Sequence, residues 1–84
     1  SDVYKRQPNY YTVIKQPMDL KLMKQRIKEG AITSSMDLRR AFSLMFANAL
    51  MYNHPGTEVH RMANEMRVAT DEILDEFDRT PLGS

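Results

Sequence analysis

The run Leu38–Asn53 constrains this chain most, because its apolar residues recur at helical spacing and it ends against an abrupt stop. Leu38, Phe42, Met45, Phe46 and Ala49 fall three or four residues apart, which puts them on one helix face. Tyr52 and Asn53 close the run, and His54-Pro55-Gly56-Thr57 follows. Pro55 cannot continue a helix and turns His54 away from helical angles, so the helix stops there. Asn53 then stands where a helix gives way to a loop, with an NH2 donor, a carbonyl acceptor and no charge. Such a group suits a ligand that is itself a neutral amide.

Two further helical patterns flank this one. The earlier follows Pro17-Met18-Asp19, with Asp19 as cap or first-turn acid. It presents Leu20, Met23 and Ile27 on one face and ends at Gly30. The central helix opens at Ser34, with Asp37 as a shortened capping-box acid. The last begins near Thr57 as N-cap and repeats Val59, Met62, Ala63, Met66, Ala69, Ile73 and Phe77. No alternating strand pattern of useful length occurs, so the expected class is all-α. The seven methionines are expected chiefly as core filling.

The segment before these helices is of another kind. Tyr10-Tyr11-Thr12-Val13-Ile14-Lys15-Gln16 is aromatic and apolar yet lies between Pro8 and Pro17. It reads as a loop whose side chains seek burial although its backbone is not helical.

Charge and composition narrow the functional classes. Residues 1–42 carry nine Lys/Arg against four Asp/Glu, and residues 43–84 carry three against seven. Without aromatic–basic interleaving, solvated helix faces are preferred over a nucleic-acid surface. There is no cysteine, which excludes a disulfide scaffold or a thiolate metal site. No apolar run reaches the roughly 20 residues that span a bilayer. His54 and His60 straddle a loop and a helix, and neither metal-ligand spacing nor a Ser-His-Asp ordering can be built from them. An enzyme is therefore not expected, and no cofactor is called for.

Taken together, Tyr10-Tyr11-x-Val13-Ile14-x-x-Pro17-Met18-Asp19-Leu20, then Leu44-Met45-Phe46-x-Asn48-Ala49-x-x-Tyr52-Asn53-x-Pro55-Gly56, then Val59-x-x-Met62-Ala63, resemble a bromodomain. The likeness covers about residues 8–78 in consistent order and spacing. It implies a left-handed helical bundle whose loops at one end frame an acetyl-lysine pocket. By position, Asn53 matches the family's anchoring asparagine, and Tyr10 the tyrosine that reaches the ligand through an ordered water. Tyr52 lines the wall, Val59 takes the gatekeeper position, and Val13 lies in the loop beside the pocket.

The resemblance further implies a non-catalytic reader of acetylated lysine peptides, most naturally histone tails, in a nuclear chromatin-associated protein that regulates transcription. The alternative is a helical interaction scaffold with impaired or no acetyl-lysine binding. Residues 1–7 do not resemble the family's first helix and are expected as a leader or adapter, with residues 8–79 a partial domain and 80–84 a tail. Three of the family's four helices (the second, third and fourth) are then expected, preceded by the end of the long loop. An uncovered stripe of several hundred Å2 would forgo on the order of 10 kcal/mol of burial, and a second copy could cover it. Ala41 stands where the family often has aspartate, which changes local polar packing and leaves recognition intact.

Overall fold

The computed structural model describes residues 14–80, which form three helices: α1 Leu20–Lys28, α2 Ser35–Tyr52 and α3 Glu58–Asp78. Each starts at the cap expected from sequence. The Asp19 carboxylate accepts from the Leu22 N–H at 2.8 Å. The Ser34 hydroxyl accepts from the Asp37 N–H at 3.1 Å. Thr57 does the same for His60 at 3.3 Å. These bonds satisfy first-turn N–H groups that have no partner inside the helix. Asp37 completes the box one residue further out than the usual pattern, accepting from the Thr33 N–H and hydroxyl at 3.1 and 3.3 Å.

The ends are equally local in origin. Past α1, Gly30 adopts a φ of +79°, and the N–H groups of Ala31 and Ile32 both return to the Arg26 carbonyl. A residue with a Cβ adopts that backbone reluctantly, so glycine makes this reversal at low cost. Gly56, with φ +89°, plays a similar part between α2 and α3.

The core is gathered on α2. Ala41, Met45 and Phe46 cluster with Met18 and Met23, and Leu22, Leu38, Phe42 and Leu44 pack around them. Phe42 and Phe46, one turn apart, stack with centroids 6.1 Å apart. Ala41 packs in this cluster and also lines a cavity that Arg26, Asp37 and Arg40 share. Its methyl group fits the apolar side of this position.

Two expectations about faces are corrected. On α1, Met23 is buried, but Leu20 and Ile27 are about half exposed. Leu22 and Met23 set the inward direction, and 3.6 residues per turn leaves the Leu20–Ile27 edge on its flank. On α3 the expected stripe is not covered: Val59, Met62, Met66 and Phe77 are about half exposed, Ile73 more so, and only Ala63 of that set is buried. The seam toward α2 runs instead along Ala63, Arg67, Thr70 and Leu74, at spacings of four, three and four residues. The stripe lies one residue, about 100°, around the helix from that seam. Methionine follows the same division. Met18, Met23 and Met45 are buried, whereas Met36, Met51, Met62 and Met66 are exposed, so the expectation of core filling holds for the first group alone.

An ion-pair cluster also joins the two long helices. Arg39 of α2 reaches Asp75 at 2.9 Å, Asp78 at 3.3 Å and Asp71 at 3.7 Å on α3. Part of the charge imbalance between the halves of the sequence is therefore met by contact between them.

Candidate functional site

The end of α2 determines what Asn53 can do. Tyr52 is its last helical residue and Asn53 its C-cap, with extended backbone angles. The Asn53 backbone N–H donates to the Ala49 carbonyl at 3.1 Å. The side-chain Nδ2 donates to the same carbonyl at 2.8 Å. One side-chain N–H is thereby committed to holding the carboxamide against its own helix, and the group is half-buried. Nδ2 carries two hydrogens, so a second donor and the Oδ1 acceptor remain. Among the described residues no other hydrogen bond engages them.

The loop beyond is tied to the start of α3. The His54 carbonyl accepts from the Thr57 N–H at 3.2 Å and from its hydroxyl at 2.7 Å. Thr57 thus caps α3 and closes the turn at once. Its hydroxyl fixes where α3 starts, and with it Val59.

Beside this turn lies an apolar groove of about 280 Å3. Met45, Phe46 and Ala49 of α2 form one side, and Val59, Met62, Ala63 and Met66 of α3 the other. None of these side chains is charged. Ala49 links groove and asparagine: its methyl lines the one while its carbonyl holds the other. Val59 lies at the same end, on the first turn of α3.

The structure therefore brings Asn53 and Val59 to one end of the α2–α3 pair. Tyr52 and Asn53 are both half-buried, and neither lines the groove itself. Tyr10 and Val13 lie outside the described residues. The histidines form no metal site: among the described residues no group of three His, Cys, Asp or Glu could hold an ion. His54 is exposed and His60 half-buried.

Sequence reasoning placed Asn48 in the matching motif but gave it no role. It is only 5% exposed, and its Nδ2 donates to the Gln16 carbonyl at 2.7 Å, tying the loop to the middle of α2. A signal for it was present. Ala41, Met45 and Asn48 share one face at spacings of four and three, so a polar residue occupies a core register.

Comparison with known proteins bears on the whole arrangement. The family model described as bromodomain matches residues 3–65. The chain is 32% identical over 74 residues to the chromatin structure-remodeling complex subunit rsc4 of Schizosaccharomyces pombe, covering 88% of this chain and 14% of that protein. It is 41% identical over 56 residues to transcription factor GTE10 of Arabidopsis thaliana, covering 67% and 5%. It is 36% identical over 69 residues to bromodomain-containing protein 7 of Gallus gallus, covering 82% and 11%. In structure it resembles the crystal structure of the Trypanosoma cruzi bromodomain BDF2, with a TM-score of 0.78, 36% identity, and coverage of 87% of this chain and 65% of that one. The chain thus spans a small part of these curated relatives and about two thirds of the solved neighbour. Its three helices, its order of motifs and these likenesses agree: the chain belongs to the bromodomain family, the acetyl-lysine readers of chromatin proteins.

Proposed function

We propose that this chain binds acetyl-lysine on histone tails through Asn53, as part of a nuclear, chromatin-associated protein that regulates transcription. The observation that carries the reading is the tethered carboxamide of Asn53, which keeps one N–H for a ligand at the end of an uncharged apolar groove. Acetylation turns the lysine ammonium into a neutral amide with a carbonyl acceptor and a methyl group. The free Nδ2–H donates to that carbonyl, and apolar walls that include Val59 take the methyl and the lysine stem. An unmodified ammonium entering the same place finds no carboxylate among the groove residues. Its lost hydration exceeds what one neutral hydrogen bond returns. Tyr10 and Val13 complete the proposed site, Tyr10 through a bridging water and Val13 as wall, with Tyr52 beside Asn53 outside the groove itself. No step makes or breaks a covalent bond, so the role is recognition. Titration with acetylated and unacetylated histone peptides tests it, and equal binding of the two would reject it.

One observation favours a second reading, an interaction scaffold. Val59, Met62, Met66, Ile73 and Phe77 expose a continuous apolar stripe along α3, a feature more common in contact surfaces than on isolated monomers. Self-association through this stripe would appear in sedimentation equilibrium as a mass that rises with concentration. A mass fixed at the monomer value would remove that reading.

A further inference from the structure

The turn after α1 brings two arginines to one cavity. The Arg26 carbonyl accepts from the N–H groups of Ala31 and Ile32, so the chain doubles back beside Arg26. Ile32 and Arg26 thereby line the same cavity, of about 220 Å3, and Arg40 lines it from α2. Its apolar lining comes from Met18 and Ala41, both buried, and from Ile32 and Leu44, both half-buried. Arg26 and Arg40 are exposed. Among the described residues neither guanidinium makes a hydrogen bond or an ion pair. Asp37, the carboxylate in the lining, accepts from the Thr33 N–H and hydroxyl and attracts Arg40 at longer range only. The lining thus keeps a surplus of positive charge, two arginines against one aspartate.

Volume and charge together select an occupant. The cavity falls below the roughly 300 Å3 at which small-molecule sites begin, so it admits one side chain and not a nucleotide. Apolar walls beside two unpaired guanidiniums suit a group with a hydrocarbon stem and a terminal anion. We propose that Arg26 and Arg40 form an anchoring site for a glutamate side chain of an acidic partner peptide. The carboxylate pairs with the guanidiniums, whose N–H groups match its two oxygens, and the methylenes rest on Ile32 and Leu44. A nucleic-acid phosphate has no such stem for the apolar walls, and a lysine-rich tail has the wrong charge. The site is separate from the Asn53 end of the bundle: Arg40 lies twelve residues, about 18 Å, before Tyr52 along α2. Both ends can therefore be filled at once.

The test is an NMR titration of backbone amide shifts with a hexaglutamate peptide, with hexaglutamine as the neutral control. Hexaglutamate should shift the amides of Ile32, Ala41 and Leu44, and hexaglutamine should leave them in place. Arg26→Gln and Arg40→Gln should each weaken hexaglutamate binding about threefold, a modest loss because exposed ion pairs contribute little. Both arginines are exposed, so these variants keep the fold, which circular dichroism checks. Lys24→Gln removes an exposed charge that does not line the cavity and should change binding less. Equal losses from all three variants overturn the proposal, because they show attraction to net charge alone. Unmoved amides around the cavity overturn it as well. A hexathymidine strand that binds with the same dependence on Arg26 and Arg40, where hexaglutamate does not, overturns the choice of a carboxylate. Asn53→Ala should bind hexaglutamate as the unsubstituted chain does, so failure of the acetyl-lysine reading leaves this one standing.

Discussion

The Ala49 carbonyl accepts two hydrogen bonds from Asn53, one from its backbone N–H at 3.1 Å and one from its side-chain Nδ2 at 2.8 Å. A single acceptor therefore ends α2 and orients the carboxamide proposed to grip the ligand. Capping and recognition are not rival roles here, because one N–H of the amide serves each. Asn53→Asp keeps the shape but sets an anionic oxygen against that carbonyl, at the helix end where negative charge is least welcome. The variant is expected to lose acetyl-lysine binding and about 1 kcal/mol of stability, read by titration and by chemical denaturation.

Ala41 is 7% exposed within the cluster of Met18, Met23, Met45 and Phe46. An aspartate there would set a carboxyl against the apolar cluster, with Arg26 and Arg40 across the adjoining cavity as its available cations. Ala41→Asp should cost about 1 kcal/mol or more at neutral pH, measured by urea denaturation. Wild-type stability would show that the position is open to water.

The Thr33 N–H holds the Asp37 carboxyl below its ordinary value of 3.8, opposed by partial desolvation and helped by the Thr33 and Ser34 hydroxyls and by Arg40. A lowered folded-state value means that the group binds its proton more weakly in the folded chain. Its stabilisation is therefore full above pH 3.8 and lost as pH falls through the lower folded value. Asp37→Asn should flatten the acid limb of the stability–pH curve, with melting followed from pH 6 downward. An unchanged limb would contradict this assignment.

Arg39 bridges to Asp71, Asp75 and Asp78, all at least partly exposed. Its guanidinium loses some hydration there, but hydrogen bonds to Asp78 and Asp75 and their charges more than offset that loss and raise its pKa. Arg39→Met keeps the stem and removes the charge, leaving three aspartates facing one another. Tm should fall at low ionic strength, and the deficit should narrow toward 1 M salt as screening sets in. A salt-independent deficit would assign the effect to packing.

Val59 lines the groove at the end near Asn53 and is 45% exposed. Val59→Tyr should narrow that end and change which acetylated sequences bind while leaving the fold intact. Peptide arrays read the change, and identical profiles would contradict it.

The elements of this fold were legible where their causes are local. Asp19, Ser34 and Thr57 begin their helices because each hydroxyl or carboxylate reaches an N–H within three residues, a relation that sequence spacing displays directly. Gly30 and Pro55 stop helices for similarly local reasons. The buried faces were less legible. Periodicity shows that Val59, Met62, Met66 and Ile73 share a side of α3, but whether that side is covered depends on where another helix lies. The true seam through Ala63, Thr70 and Leu74 contains small and polar residues that hydropathy does not favour. At the site, Asn53 was readable because a proline and a glycine mark the helix end beside it. Asn48 stood in the motif without a role because its partner is a carbonyl 32 residues earlier in the chain.

The central claim is that the free N–H of the Asn53 carboxamide distinguishes an acetylated lysine from a charged one. Calorimetric titration of the unsubstituted chain and Asn53→Ala, each with acetylated and unacetylated histone peptides, tests it most directly. The unsubstituted chain should bind the acetylated peptide with a Kd on the order of 10–100 μM, modest because the contact area is small. It should bind the unmodified peptide at least about tenfold more weakly, and Asn53→Ala should lose the difference, since one hydrogen bond of about 1.4 kcal/mol is worth that factor. Equal binding of both peptides by both proteins would contradict the account.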